Sequence, residues 1–144
     1  MYGPISFVDK KKVWNEISSF ILNFKDNAFL RGGDFNTILD LKEKIGGIHH
    51  LSQSSLNFRM WFSKHDMIDV PTSNGSFMWN NRRKYFAYIA EKLDRFFIIG
   101  ELADSNFNFQ SSILPITGSD HYPVRLELSK PHKPTRNPFK CKKI

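Results

Sequence analysis

Residues 92–99 read Lys-Leu-Asp-Arg-Phe-Phe-Ile-Ile, an apolar run that carries one acid and two bases near its start. The run predicts a β-strand. A carboxylate inside an apolar strand is costly unless it is paired or hydrogen-bonded. Two interpretations of Asp94 stay open here: a salt bridge with Arg95 or another neighbour, and an acid that orients a histidine.

Two further polar motifs border predicted strands. Ala28 to Leu30 reads as a short buried strand that stops at Gly32-Gly33, and Gly33-Asp34-Phe35-Asn36 follows it. Gly118-Ser119-Asp120-His121-Tyr122-Pro123 precedes the last predicted strand, Tyr122 to Leu128. Asp and Asn readily close turns by bonding their own backbone. Strand ends also present polar groups to clefts, and Asp beside His suits proton transfer or metal-assisted hydrolysis.

Two amphipathic helices are predicted on the N-terminal side of these strands. Residues 9–25 carry apolar side chains at helical spacing behind an N-cap at Asp9. Ser52 or Ser54 can cap a second helix that runs to about Lys64. The candidate core positions of this second helix are Leu56, Met60 and Trp61.

Turn signals and short strands occupy the remaining segments. Gly46-Gly47 marks a turn within a loop over residues 37–50, and Ser73-Asn74-Gly75 is a hairpin signal. Residues 76–80 alternate as a strand would, and Phe109 to Ile116 is another strand. The order of helix, strand, helix and several strands predicts a mixed α+β domain.

Composition excludes several classes of protein. The chain has 144 residues, of which 40% are hydrophobic and one is cysteine, so we expect one domain and no disulfide scaffold. No apolar stretch is long enough for a membrane span, and no secretory signal is visible. We therefore expect a nuclear or cytoplasmic protein without a membrane partner.

The positive charge is concentrated at the C-terminus. The net charge is +7, and residues 130–144 hold six basic residues and no acid. Three prolines in the same segment break regular structure. We therefore predict a domain over residues 1–129 and a flexible basic tail over residues 130–144, which is either a solvated linker or a contact to a nucleic-acid backbone.

Taken in this order, the three motifs GDFN, LDR and GSDH-x-P resemble the pattern of the endonuclease/exonuclease/phosphatase superfamily, which has a deoxyribonuclease I-like fold. Tyr2-Gly3-Pro4 looks like the family's Y-x-P segment, and Phe77 to Asn80 looks like its aromatic strand. Residues 52–83 are similar to the endonuclease region of LINE-type retrotransposons, particularly those of plants. The resemblance implies a partial αββα sandwich, namely its C-terminal half with two helices and a mostly antiparallel sheet.

The resemblance implies four catalytic residues. Asp34 matches the acid that orients or deprotonates the attacking water, and Asn36 matches the amide that binds the scissile phosphate. His121 matches the family's phosphate-binding or acid/base histidine. Asp94 matches the partner that fixes the orientation of this imidazole.

The resemblance also implies a divalent metal, usually Mg²⁺, and further phosphate contacts. Asp120 and Asp34 are the expected metal ligands, because Mg²⁺ prefers oxygen ligands. Tyr2, Asn36 and His121 are the expected phosphate-binding residues. The expected partner is DNA.

The family's N-terminal half, with its metal-ligating Glu, does not precede the Y-x-P segment here, and neither Glu16 nor Glu43 matches that motif. We therefore expect a fragment of a DNA endonuclease that is weak or inactive alone, and the alternative is a non-catalytic relic or nucleic-acid-binding module. The sheet face that the second half would cover should leave side chains such as Val124, Leu126 or Phe97 in water. The expected consequence is a chain that is marginally stable alone or that associates with itself or with the missing N-terminal half.

Overall fold

The computed structural model describes residues 3–23, 29–102, 106–115 and 118–130. Within these ranges the chain forms two α-helices and three small antiparallel sheets, so the prediction of a mixed α+β protein is confirmed. The helices are α1 (Phe7–Asn23) and α2 (Gln53–Lys64). The strands are β1 (Phe29–Asp34), β2 (Lys44–Ile45), β3 (Ile68–Asp69), β4 (Trp79–Asn80), β5 (Ala90–Glu91), β6 (Asp94–Ile99), β7 (Asn108–Ile113) and β8 (Val124–Ser129).

The longest antiparallel pairing of the first sheet joins β1 to β6, and the strand order is β1-β6-β3. Phe29 lies opposite Ile99 at one end of the pair, and Asp34 lies opposite Asp94 at the other. Directly opposed residues share a face, and successive residues alternate between faces. The register therefore places the two carboxylates side by side at one end of the sheet.

Strand β1 continues through Gly32 and Gly33 and ends at Asp34, so the prediction that it stops at the two glycines is wrong. Gly32 lies opposite Phe96, and a Cβ added to Gly32 would come within 2.2 Å of the Phe96 ring. Only glycine leaves room for the Phe96 ring at this position. Close approach of another group is a known reason for glycine within a strand.

Helices α1 and α2 pack on one face of this sheet through aromatic side chains. The Trp14 ring lies 5.3 Å from the Phe58 ring and 5.8 Å from the Trp61 ring, measured between centroids. Helix α1 begins at Phe7, two residues before the predicted Asp9 cap, because the Ser6 hydroxyl accepts the Asp9 amide. The aromatic cluster forms the centre of the hydrophobic core.

Helix α2 has the predicted limits but presents a different face to the core. Ser52 is its N-cap, as predicted, and its hydroxyl accepts a hydrogen bond from the Ser55 amide at 3.1 Å. Leu56 and Met60 are 42% and 72% exposed, so two of the three predicted core positions are wrong. Two stripes of this helix have helical spacing, and the stripe that carries the larger aromatic area is the buried one. The buried stripe comprises Ser55, Phe58, Trp61 and Phe62.

The predicted hairpin at Ser73-Asn74-Gly75 does not form. Strand β3, before this segment, pairs with β6, and strand β4, after it, pairs with β5. The Asn74 side chain instead bonds the backbone of Ile113, accepting from its amide at 2.7 Å and donating to its carbonyl at 2.8 Å. The turn is therefore attached to β7 in the third sheet, β7-β8.

Arg95 points away from Asp94 into the core, because neighbouring residues of a strand face opposite ways. Its guanidinium, which is fully buried, binds both oxygens of Glu43 at 2.8 and 3.1 Å and lies 3.3 Å from Asp69. The salt-bridge alternative between Asp94 and Arg95 is therefore wrong. Glu43 belongs to a short 3₁₀ turn, Leu41–Glu43, inside the predicted loop.

The sheet face opposite the helices is only partly covered. Phe97 is 1% exposed because it faces the helices, so its predicted exposure is wrong. Val124 and Leu126 are half-buried. Leu30 and Ile68 are 38% and 49% exposed, and both lie opposite Ile98 on the far face.

Two expectations concern residues beyond the described ranges. Tyr2 and residues 131–144 of the basic tail lie outside them, so the expected phosphate contact of Tyr2 stays a prediction. Neither helix in the described part of the chain has the length and apolar character needed to cross a bilayer.

Candidate active site

Three chain segments converge at the carboxylate end of the β1-β6 pair. Asp34 is the last residue of β1, and Asp94 is the first residue of β6. His121 arrives from the turn before β8, where it forms an isolated antiparallel bridge with Trp79. One ligand atom from each of Asp34, Asp94 and His121 lies within 4.8 Å of the others.

The Asp94 carboxylate orients the His121 imidazole. The distance between Asp94 Oδ2 and His121 Nδ1 is 2.8 Å, and the two side chains are 21% and 22% exposed. An imidazole whose Nδ1–H donates to a carboxylate keeps its Nε2 for accepting or delivering a proton. The structure thus gives Asp94 the second of the two interpretations that its sequence left open.

Asp34 and Asn36 form a closed turn. The Asn36 amide donates to Asp34 Oδ1 at 2.8 Å, and the Asn36 side-chain nitrogen donates to Asp34 Oδ2 at 3.0 Å. Asn36 has a φ of +48°, a conformation that Asn tolerates better than most residues. The turn interpretation of this motif is therefore correct, and the turn brings the side chains of Asp34 and Asn36 into contact with each other.

The Gly3-Pro4 segment packs against the turn formed by Asp34 and Asn36. The Gly3 carbonyl accepts a hydrogen bond from the Asn36 side chain at 2.6 Å. A Cβ added to Gly3 would lie 2.1 Å from the backbone oxygen of Asp34. Only glycine lets the N-terminal segment approach so closely, which ties the site to the start of the described chain.

Lys10 is a residue of the site that the sequence interpretation missed. It is 7% exposed, and its ammonium donates to the Asn36 carbonyl at 2.5 Å. Burial lowers its pKa, and the negative charges of Asp34 and Glu91 oppose that shift. A signal was present, since Lys10 precedes Trp14 by four residues and shares its buried face.

The environment of Asp34 disfavours its charged form. The residue is 4% exposed, and this burial raises the pKa of its carboxyl group. The hydrogen bond from the Asn36 amide lowers that pKa, the charge of Asp94 raises it, and His121 and Lys10 lower it. Perturbed carboxyl groups with a defined set of charged neighbours are typical of functional sites.

Asp120 does not belong to the cluster of Asp34, Asp94 and His121, so its role as a metal ligand, directly or through water, stays a prediction. Its Oδ2 accepts the indole N–H of Trp79 at 3.0 Å, and this bond lowers the pKa of its exposed carboxyl group. The residue thus holds the Trp79 ring beside a cavity of about 420 Å³ that Arg82 and Ser119 also line. Asp120 therefore forms part of the wall of this cavity.

The donor set suits a divalent cation with oxygen preference. Asp34 and Asp94 supply carboxylate oxygens, and a cation between them would offset the repulsion from Asp94 that adds to the effect of burial on the Asp34 pKa. Mg²⁺ commonly uses one or two carboxylates and retains water for its other positions. The two acids fit this requirement, and the His121 nitrogen is the less favourable ligand for Mg²⁺.

Comparison of the chain with protein-family profiles and with curated proteins gives no match. The relation to any family therefore rests on the three motifs and on the way in which the fold brings them together.

Proposed function

We propose that this chain is part of a Mg²⁺-dependent phosphodiester hydrolase, a DNA endonuclease of the endonuclease/exonuclease/phosphatase superfamily similar to those of LINE-type retrotransposons. The convergence of Asp34, Asp94 and His121 within 4.8 Å supports the proposal most strongly. These residues are 60 and 27 positions apart in the sequence, and each belongs to a different motif of the family pattern.

The fold is compatible with half of an αββα sandwich. Helices α1 and α2 cover one face of the β1-β6-β3 sheet, as the outer helices of such a sandwich do. Exposed Leu30 and Ile68 lie on the opposite face, where a second sheet would pack. This arrangement supports the assignment to the deoxyribonuclease I-like fold.

The chemistry divides among the residues of the cluster. A bound Mg²⁺ would supply Lewis-acid stabilisation of the charge that develops on the phosphate. Asp34 accepts the proton of the attacking water, and the hydrogen bond from the Asn36 backbone amide fixes the orientation of its carboxylate. The side-chain amide of Asn36 gives up its hydrogen bond to Asp34 and donates instead to a phosphate oxygen.

His121 completes the reaction on the leaving-group side. As the P–O bond breaks, His121, whose imidazole Asp94 orients, delivers a proton from Nε2 to the leaving oxygen. In this scheme Asp34 acts as the base and His121 acts as the acid.

Nicking of supercoiled plasmid by the purified chain in Mg²⁺ tests the proposal. Asp34→Asn and His121→Gln should each reduce the nicking rate about 10²- to 10⁴-fold, the usual contribution of an acid or base. The matched controls are Glu16→Gln, an exposed acid of α1, and His49→Gln, an exposed histidine. Both controls should nick at the original rate.

Thermal melting in Mg²⁺ gives a second readout that needs no turnover. Mg²⁺ should raise the melting temperature of the original chain and of Glu16→Gln, but not of Asp34→Asn, because a cation stabilises only the state that binds it. The absence of both nicking and Mg²⁺ stabilisation would reject the proposal. DNA binding without nicking would favour the alternative of a non-catalytic nucleic-acid-binding module.

A further inference from the structure

The segment between β4 and β5, residues 81–89, presents two aromatic rings to solvent; we refer to it as the aromatic loop. Tyr85 is 89% exposed, and Phe86 is 105% exposed, more than in an extended reference peptide. A large apolar side chain held so far from any core loses the free energy of burial and is a common mark of a binding surface. The proposed roles of Asp34, Asp94 and His121 do not involve these two rings.

The side chain of Asn81 makes three hydrogen bonds within the aromatic loop. The Asn81 side-chain nitrogen donates to the Ala87 carbonyl at 2.7 Å, and its oxygen accepts the Ile89 amide at 3.0 Å and the Arg83 amide at 3.2 Å. Tyr85 has a φ of +52°. A loop that is fixed by such bonds loses little conformational freedom on binding.

The Gly46-Gly47 turn packs against the C-terminal part of the aromatic loop, at Tyr88 and Ile89. Gly46 has a φ of +73°, and a Cβ added there would lie 2.0 Å from the Tyr88 carbonyl oxygen. A Cβ added at Gly47 would lie 3.1 Å from the end of the Ile89 side chain, which is a milder contact. The turn after β2 therefore packs directly on the backbone that leads away from the exposed rings.

The aromatic loop is basic and adjoins the cluster. Arg82, Arg83 and Lys84 are exposed, and the loop contains no acid. The cavity of about 420 Å³ separates Arg82 and Arg83 from the turn before His121. Arg82 and Arg83 line this cavity together with Gly118, Ser119 and Asp120, which directly precede His121, so a polyanion bound there meets the cations of the loop.

We propose that Tyr85 and Phe86 stack on unpaired DNA bases while the neighbouring cations bind the backbone. The inference rests on the proposed function for its choice of DNA, and it names the substrate class as DNA with unpaired nucleotides near the cut. Exposed aromatic rings among basic residues are the usual elements of single-strand binding. A paired duplex offers no base face to such rings unless its own stacking is first broken.

The unbroken run of three cations favours DNA over a protein as the occupant. Arg82, Arg83 and Lys84 directly precede the two rings, and the loop contains no acid. Aromatic rings and Arg are also common in protein interfaces, whereas Lys is depleted there and a continuous run of cations suits a phosphate backbone. A nucleic-acid contact uses both the rings and the cations.

Fluorescence anisotropy with labelled oligonucleotides, in EDTA to prevent cleavage, tests the inference. The probes are a single strand, a fully paired duplex, and the same duplex with an unpaired bulge. Phe86→Ala should weaken binding to the single strand and to the bulged duplex about 5- to 100-fold and leave binding to the paired duplex nearly unchanged. Phe86→Leu should behave as Phe86→Ala, and Phe86→Trp should bind as tightly as the original chain.

Matched exposed positions on α2 separate stacking from general effects. Met60→Ala removes an exposed apolar side chain, and Arg59→Gln removes an exposed cation. Both should leave every affinity unchanged. Arg83→Gln should weaken binding to all three probes and reduce the salt slope by about 1.

The inference is overturned if Phe86→Ala and Phe86→Leu bind the single strand as the original chain does. It is also overturned if the original chain binds no probe, or if Phe86→Ala only converts a dimer to a monomer in sedimentation. Failure of nicking with a clear Phe86 effect would remove the proposed hydrolysis and leave the stacking surface. Nicking without a Phe86 effect would remove only the stacking surface.

Discussion

The buried ammonium of Lys10 contacts the backbone of the turn that carries Asp34 and Asn36. Its bond to the Asn36 carbonyl secures a residue whose φ is positive, and its charge lies near Asp34. Lys10 is therefore a positioning residue, because it holds the turn that carries the two polar side chains. Such a contact has consequences for rate when small displacements of reacting groups matter.

Replacement of Lys10 should separate positioning from folding. Lys10→Met keeps the length of the side chain and should slow nicking roughly 10- to 100-fold. It should also accelerate amide hydrogen exchange at residues 34–37, because the anchor of the turn is lost. Lys11→Met, at an exposed lysine on the same helix, is the control. Unchanged exchange and unchanged nicking in Lys10→Met would show that the bond has no positioning effect.

The sequence indicates the site residues that lie at strand ends, and it fails where the position depends on packing. Asp34 and His121 have the residue types and the flanking strands that mark them as candidates. Lys10 stands in a run of three lysines, and its four-residue spacing from Trp14 is a weak sequence signal beside the packing of α1 that buries it. Asp120 is adjacent to His121 in sequence, but the bridge to Trp79 turns the two side chains to different partners.

At the scale of elements, the two helices meet through a polar contact as well as through rings. The Trp61 indole donates to the Ser18 hydroxyl at 2.8 Å, and the same hydroxyl lies 2.8 Å from His65 Nε2. His65 ends α2, and the Trp61 and His65 rings are 5.9 Å apart. The contact therefore joins the end of α2 to the middle of α1.

The stability of this helix pair should depend on pH through His65. Burial lowers the pKa of His65, the charge of Lys64 lowers it further, and Asp66 opposes the shift. A lowered folded-state pKa stabilises the protein fully above the unfolded value near 6.5, and this contribution is lost as pH falls from there to the folded value. Between pH 7.5 and 5.5 the melting temperature should therefore fall more for the original chain than for His65→Gln. Equal pH dependence in the two proteins, with His49→Gln as control, would contradict the prediction.

Periodicity identifies the elements better than their faces. Both helices and β6 follow from apolar spacing, whereas α2 has two apolar stripes between which spacing alone does not decide. The end of β1 depends on the ring of Phe96 over Gly32, a contact between residues far apart in sequence. The Asn74 turn likewise depends on its bonds to Ile113 in β7.

At the scale of the molecule, the sheet face away from the helices remains partly open. Leu30, Ile98 and Ile68 form a row across β1, β6 and β3, and the two outer residues are substantially exposed. Strand β1 lies at an edge of its sheet as well. Exposed apolar rows beside an edge strand favour pairing with another chain.

Self-association should therefore depend on protein concentration and on this row. Sedimentation velocity should show dimers or larger species that dissociate on dilution. Leu30→Glu and Ile68→Glu should each weaken the association about tenfold, because a charge replaces a side chain that would be buried. Met60→Glu places the same charge on the exposed face of α2 and should have no effect. A monomer at every concentration would contradict the prediction.

The three tryptophans of the chain form two separate optical probes. Trp14 and Trp61 are stacked in the core at an interplanar angle of 19°, so their emission follows unfolding. Trp79 is half-buried beside the approach to His121, and its indole is bonded to Asp120. With Trp79→Phe as the subtraction control, intrinsic fluorescence can follow occupancy of the site and loss of the core in one unlabelled sample.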